Sequence, residues 1–334
     1  MFPSFPSTFR PGVVVLILLV LLPTMAVADS EVRRFKFVYE SRIGPVASGR
    51  GPVHVWIPLP RDDDAQKVVK LDVDANIDGV IEGGDEHGNR WWHGSLEVSN
   101  GEPIWARLEA IIERRPLADG SGPGAPAAPA PDPASLQRYL EANERVLVGH
   151  EILDPILAEI REKAGSQQPD RMARAIYDWV VDNVEYKKVG SGWGNGDTFW
   201  ACNERYGNCT DFHALLISLA RTEGIPARFE MGFPIPVGKN AGKIEGYHCW
   251  VELYLPDVGW IPVDASEAFK HPEKREMLYG GQPSDRIHFT TGRDLRLGSD
   301  HKDKALNYFI YPYVEVDRQA DNILVEKSFS FEDG

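Results

Sequence analysis

Three cysteines in 334 residues are too few for a disulfide-dense scaffold, and 31 glycines and 25 prolines without a repeating period exclude a collagen-like chain. Basic residues are short as well. Lys and Arg total 36 against 50 Asp and Glu, a formal charge of −14, so a nucleic-acid backbone would be repelled overall and nucleic acid is not the expected partner. Long apolar runs are missing too: Val13 to Leu22 is ten residues, closed by Pro23, where a bilayer span needs about 20. What remains, 43% hydrophobic and 26% charged, is the composition of a folded soluble protein.

That short apolar run has a use of its own. Arg10 precedes it and Ala26-Val27-Ala28 follows it, the charged start, apolar middle and small-x-small end of an export signal. Residues 1–28 are therefore expected to be a signal peptide, with an uncleaved anchor as the alternative. The mature chain then starts at Asp29, has no integral membrane span, and is periplasmic or secreted. In such an oxidising compartment an odd number of cysteines leaves at least one thiol unpaired within the chain.

A stretch of 19 residues, Pro116 to Ala134, holds six prolines, six alanines and three glycines and is expected to be a linker. It divides a β-rich N-terminal domain, 29–115, from a second domain, 135–334. In the first, Val32 to Ile43, Pro52 to Leu59, Lys67 to Val73 and Pro103 to Glu113 read as strands of a β-sandwich-like lobe. Its Trp91-Trp92-His93 cluster reads as packing or a surface patch. After the linker, Leu136 to Gly165 is helical in pattern, with Pro155 in a first turn. Met172, Ile176, Trp179, Val180 and Val184 form an apolar helical stripe. Tyr186 to Asp197 is a Gly-rich loop that could frame a cleft.

Asn208-Cys209-Thr210-Asp211 opens a further helix, whose inner face carries Phe212, Leu215, Leu216 and Leu219 and which Gly224 and Pro226 end. Cys209 thus sits in a first turn, where free N–H groups and the positive dipole end favour a thiolate. A thiolate nucleophile needs a proton carrier, and His248 with Asp264 behind it meets that need. The two belong to strands Gly246 to Leu255 and Trp260 to Asp264. A five-residue loop, Leu255 to Gly259, sets Tyr254 opposite Trp260 and makes His248 a diagonal neighbour of Asp264 on one face. A four-residue loop would separate them. His213, four residues beyond Cys209, is the rival base, with Asp211 as its nearest carboxylate in sequence but on another helix face.

Four stretches, Gly207-Asn208-Cys209-Thr210-Asp211-Phe212-His213, Gly224-Ile225-Pro226-Ala227-Arg228, Gly246-Tyr247-His248-Cys249-Trp250 and Gly259-Trp260-Ile261-Pro262-Val263-Asp264, resemble in their order the bacterial transglutaminase-like superfamily, often described as cysteine proteases. The resemblance covers Ala173 to Glu267 and extends more loosely to Asp285-Arg286, Gly292-Arg293-Asp294-Leu295 and Asn307 to Val316. It implies an α+β, papain-like core with a cysteine-bearing helix on an antiparallel sheet. It also implies catalytic Cys209, His248 and Asp264, with no cofactor and no metal, acting through a thioester on a peptide or protein substrate. An oxyanion hole is required; the Cys209 N–H is one donor, and Trp200 and Asn203 are the weaker candidates.

Hydrolysis is expected over transamidation. The alternatives are an inactive envelope-binding module and a zinc site of Cys202, Cys209, His248 and Cys249, whose spacing fits no common pattern. Cys249 alternates with His248 and is expected to face away from the site, leaving a Cys202–Cys249 disulfide as the pairing that would keep Cys209 free.

Overall fold

The computed structural model describes residues 32–117, 132–256 and 258–334. The expected export signal and most of the expected linker lie outside the described residues. Among those described, no helix is long and apolar enough to cross a membrane.

Alternation of side chains builds the first sheet. Along Ile104–Arg114, Ile104, Ala106, Leu108, Ala110 and Ile112 are buried while the residues between them are not, the period-two pattern of a strand with one face inward. Its neighbours are Arg33–Ile43 and Gln66–Ala75, and the order across the sheet is Ala241–Lys243, Val325–Asp333, Arg33–Ile43, Ile104–Arg114, Gln66–Ala75. A second five-stranded sheet runs Gln319–Ala320, Tyr313–Val316, Val53–Pro58, Arg90–Leu96, Gly79–Gly83. Phe35, Phe37, Val53, Val55 and Ile57 from the two sheets share one hydrophobic core.

Both sheets recruit strands from the far end of the chain. Phe37 pairs with Phe331 and Tyr39 with Phe329, and Val314 pairs with Val55. The expected partition into 29–115 and 135–334 therefore does not follow the sheets. The strands Arg33–Ile43 and Val53–Pro58 each need a partner on both sides, and the C-terminal segment supplies it.

The third sheet, Gly259–Val263, His248–Leu255, Ala227–Pro234, Arg286–Thr291, is antiparallel throughout. Helices Pro169–Asn183, Cys209–Thr222 and Ala265–Lys270 pack together and against it, which makes the molecule α+β. Every side chain from Cys209 to Arg221 is buried, so the central helix is covered all round rather than on one stripe. An aromatic cluster welds this sheet to the first: Phe233 lies 5.3 Å from Phe37, 5.1 Å from Phe289 and 4.4 Å from Phe329, centroid to centroid. A polar thread runs beside it, with His288 between Asp63 at 2.9 Å and Glu230 at 2.8 Å and Gln66 exchanging two bonds with the His288 backbone.

One expected helix is only partly formed. Pro133–Gln137, a short 3-10 turn at Glu151–Leu153 and the helix Asp154–Ala164 are present, but 138–150 is irregular. Its carbonyls are taken by tertiary partners: Ala227 N–H donates to Tyr139 O at 3.0 Å and Arg221 to Glu141 O at 2.6 Å. Bonds that an isolated helix would make to itself are satisfied from outside. Phe233→Ala is expected to destabilise the protein by about 3–5 kcal/mol, read from the urea midpoint; a loss within about 0.5 kcal/mol would mean that the two layers are not joined there.

Candidate active site

The helix Cys209–Thr222 begins with a reciprocal cap. Asn208 Oδ1 accepts from Thr210 N at 2.8 Å, and Asp211 Oδ2 accepts from Asn208 N at 2.9 Å, satisfying two donors of the first turn. A Cβ at Gly207 would stand 2.2 Å from Asp211 Oδ2, which is why glycine precedes the cap. Cys209 opens the helix and is buried, 3% exposed.

The hairpin register is the one the sequence required. Tyr254 pairs with Trp260 and Val251 with Val263, and His248 Nε2 comes to 2.6 Å from Asp264 Oδ2. The loop is shorter than expected, since Leu255 and Gly259 also pair, but its parity is unchanged. Asp264 also caps the helix Ala265–Lys270, accepting from Glu267 N at 3.0 Å and Ser266 Oγ at 3.1 Å, and Arg286 Nη2 stands 3.6 Å behind it. With Nε2 held by the carboxylate, the other ring nitrogen is left for the thiol.

The electrostatics follow from this placement. Burial works against the His248 imidazolium, but Asp264, and then the Cys209 sulfur, more than offset it and raise the pKa to about 9. Burial likewise opposes the Asp264 carboxylate, and His248 outweighs it, holding Asp264 well below the usual carboxylate range. The Cys209 thiol is held well below the ordinary thiol range by hydrogen bonding from Cys249 first, and then, against the cost of burial, by His248 and His213. A helix terminus contributes only about 0.3–1 kcal/mol, less than one pKa unit. The second thiol and the imidazole therefore carry most of the effect, and both favour the thiolate.

Cys249 corrects the expectation that it faces away. It does alternate with His248, but the helix lies against the first residues of the strand, so both reach Cys209. Its sulfur is 3.5 Å from His213 Nδ1 and 3.9 Å from Thr210 Oγ1, and burial pushes its thiol up. The expected Cys202–Cys249 disulfide is not formed: all three cysteines are free. Cys202 has Arg205 and Asp197 as its charged neighbours, and burial raises its pKa to about 11.

His213, the rival base, is wholly buried, and burial lowers its pKa to about 4 despite Asp264 nearby. Its Nε2 is 3.6 Å from Asp264 Oδ1, so the carboxylate behind it is Asp264 and not Asp211. A neutral His213 contacts Cys249 through Nδ1, while its Nε2 faces Asp264 without a hydrogen bond. Of the oxyanion candidates, Trp200 has its indole N–H committed to Tyr206 O at 2.9 Å, and Asn203 is exposed. The Cys209 N–H, at the first helical position, has no intrahelical acceptor.

Asp211 organises the Gly-rich loop. It accepts from Gly194 N at 2.6 Å and Gly196 N at 3.0 Å, both at positive φ. From the other side Arg293 reaches Gly196 O at 2.9 Å and Asn307 reaches Asn195 O at 2.7 Å. Above the helix start, the Tyr247 hydroxyl meets Thr210 Oγ1 at 2.8 Å and Asn208 Nδ2 at 3.1 Å. Sequence reasoning assigned no role to Asp211, Tyr247, Arg293 or Asn307. The adjacency of Tyr247 to His248, and of Asp211 to the cysteine turn, were the available signals.

Residues 156–265, which hold the cysteine helix, the histidine strand and the aspartate, match the transglutaminase-like superfamily. The chain carries a transglutaminase-like superfamily domain. It is 24% identical to an uncharacterized protein of Haemophilus influenzae, with 91% of each chain aligned. The uncharacterized protein YebA of Bacillus subtilis is 32% identical over 77 residues, 20% of this chain and 10% of YebA. Among solved structures, a candidate cysteine protease from Cytophaga hutchinsonii superposes with a TM-score of 0.58 at 16% identity, covering 91% of this chain and 99% of that one. The fold of nearly the whole chain is thus found again in that structure.

Two outcomes are expected of this transglutaminase-like site. Asp211→Ala strands three N–H donors and is expected to cost about 3 kcal/mol in chemical denaturation; a change under about 0.5 kcal/mol would remove Asp211 from its organising role. The rate of iodoacetamide labelling at Cys209 is expected to stay high well below the ordinary thiol pKa. In His248→Ala its onset is expected to move to higher pH, and an unmoved onset would detach the imidazole from the thiol.

Proposed function

We propose that the protein is an exported thiol-dependent acyl-transfer enzyme that hydrolyses a peptide or amide carbonyl through Cys209, His248 and Asp264. The observation that carries this reading is the 2.6 Å contact of His248 with Asp264 beside a thiol that opens a helix. The Cys209 thiolate adds to the carbonyl carbon, and the N–H of the same residue stands ready for the developing oxyanion. His248, as imidazolium, donates its proton to the departing amine and leaves an acyl thioester. The neutral ring then takes a proton from water as water attacks the thioester, and the acid product leaves with the thiolate restored. Asp264 holds the ring and stabilises its positive charge throughout.

Hydrolysis is favoured over transamidation because the sulfur is so enclosed: water reaches a thioester there more readily than a protein-borne amine does. Export rests on the 1–28 segment of the sequence, with a periplasmic or secreted protein as the result.

The reaction is tested with a fluorescent glutamine- and amide-containing peptide set, with and without an added primary amine, read by mass spectrometry. Cleavage or deamidation is expected, and Cys209→Ala is expected to lower kcat/KM by at least about 10³-fold; product formation by that variant at the parent rate would overturn the assignment. Activity is expected to fall as pH rises through about 9, where His248 loses its proton. In Asp264→Asn the stabilising carboxylate is gone, so this falling limb is expected to shift toward the ordinary imidazole value of about 6.5. An unshifted limb would disconnect Asp264 from His248.

A further inference from the structure

We propose that His54, His93 and Asp300 form a binding site for a divalent transition-metal ion of the zinc class, using none of the residues of the thiol site. Their donor atoms all lie within 4.8 Å of one another. The site is built by sheet register. Trp56 pairs with His93 and His54 with Ser95, so His54, Trp56 and His93 share one face and the two histidines are diagonal neighbours. His54 Nδ1 and His93 Nε2 are 2.9 Å apart. Two nitrogens bound tetrahedrally to zinc at about 2.0–2.1 Å stand about 3.3 Å apart, so a few tenths of an ångström of opening admits the ion.

The surroundings fix the rings in the orientation that ligation needs. Glu82 Oε1 is 3.3 Å from His93 Nδ1, and its other oxygen accepts from Trp91 Nε1 at 3.0 Å. A carboxylate on Nδ1 holds the proton there and leaves the Nε2 lone pair directed at His54, the arrangement found behind metal-bound histidines. The Trp56 indole stacks on His93 at 4.8 Å with 3° between planes, and on His54 at 5.5 Å, limiting rotation of both rings. His93 is buried, His54 half-buried and Asp300 exposed, so the ion has a path in and a fourth position open to water. His301, next along, is committed elsewhere, accepting from Leu297 N at 3.0 Å and facing Lys304 O at 3.0 Å.

Asp300 stands on the excursion between Arg293 and Asn307, whose two ends grip the Gly-rich loop beside Cys209. An ion held by Asp300 and the two histidines would pin that excursion to the second sheet.

The test uses the full chain, treated with EDTA and dialysed, and titrated calorimetrically with Zn²⁺, with Co²⁺ as a spectroscopic probe. One equivalent of tight binding is expected, with visible Co²⁺ bands typical of a four-coordinate site. His54→Ala is expected to abolish it, Asp300→Asn to weaken it at least tenfold, and Glu82→Gln to weaken it 10- to 100-fold. The exposed Asp300 makes its variant independent of folding, and circular dichroism checks the others. Binding that survives Cys209→Ala and Cys249→Ala unchanged supports the site. Absence of binding by the parent chain, binding undiminished in both His54→Ala and Asp300→Asn, or binding lost only with the cysteines would overturn it.

Discussion

The parity of one hairpin governs the site. Side chains on neighbouring strands meet only when they share a face, and a shift of one residue between His248–Leu255 and Gly259–Val263 would carry the imidazole to the opposite side from its carboxylate. The observed pairing of Tyr254 with Trp260 brings them to 2.6 Å, and the ring's remaining nitrogen and its charge follow from that contact. Asp264 is doubly engaged, since the same oxygens that hold the ring and the next helix also fix where the strand ends.

Around that contact five side chains close into a loop: Cys209, Cys249, His213, Asp264 and His248, each bonded to or facing the next. Burying two thiols, two imidazoles and a carboxylate together is costly unless charge is shared. The arrangement favours negative charge on sulfur and on carboxylate, an imidazolium between them and a neutral imidazole behind. Burial keeps His213 neutral, and the same burial, outweighed by Asp264, leaves His248 charged. Identical side chains thereby take opposite states through position alone.

Much of this was legible from the residues. Cys209 at a helix start, with an Asn208 cap and a Gly224 stop, obeys local rules that need no tertiary information, and strand alternation with turn residues predicts the hairpin. What the sequence withheld depends on long-range packing. The seating of Cys249 against Cys209 requires the angle between helix and strand. The irregular 138–150 segment reads as helix until Arg221 and Ala227 are known to take its carbonyls. The strand Arg90–Leu96 is hidden because two tryptophans and a histidine interrupt simple alternation, and Gly79–Gly83 because its terminal glycines read as breaks. The division of the chain at the Pro-rich stretch followed composition, whereas the sheets follow edge satisfaction, and no local signal states that residues 325–333 complete a sheet begun at residue 33.

That pairing of the first strand with the last also governs when the molecule becomes whole. Phe37 and Tyr39 find Phe331 and Phe329 only after nearly three hundred intervening residues have been made, so a growing chain carries an open sheet edge until residues 325–333 exist. Contacts of such long sequence separation form slowly, and the aromatic weld beneath the histidine strand includes Phe329. Removing residues 325–333 would thus take away both the partner of the first strand and one ring of the cluster around Phe233.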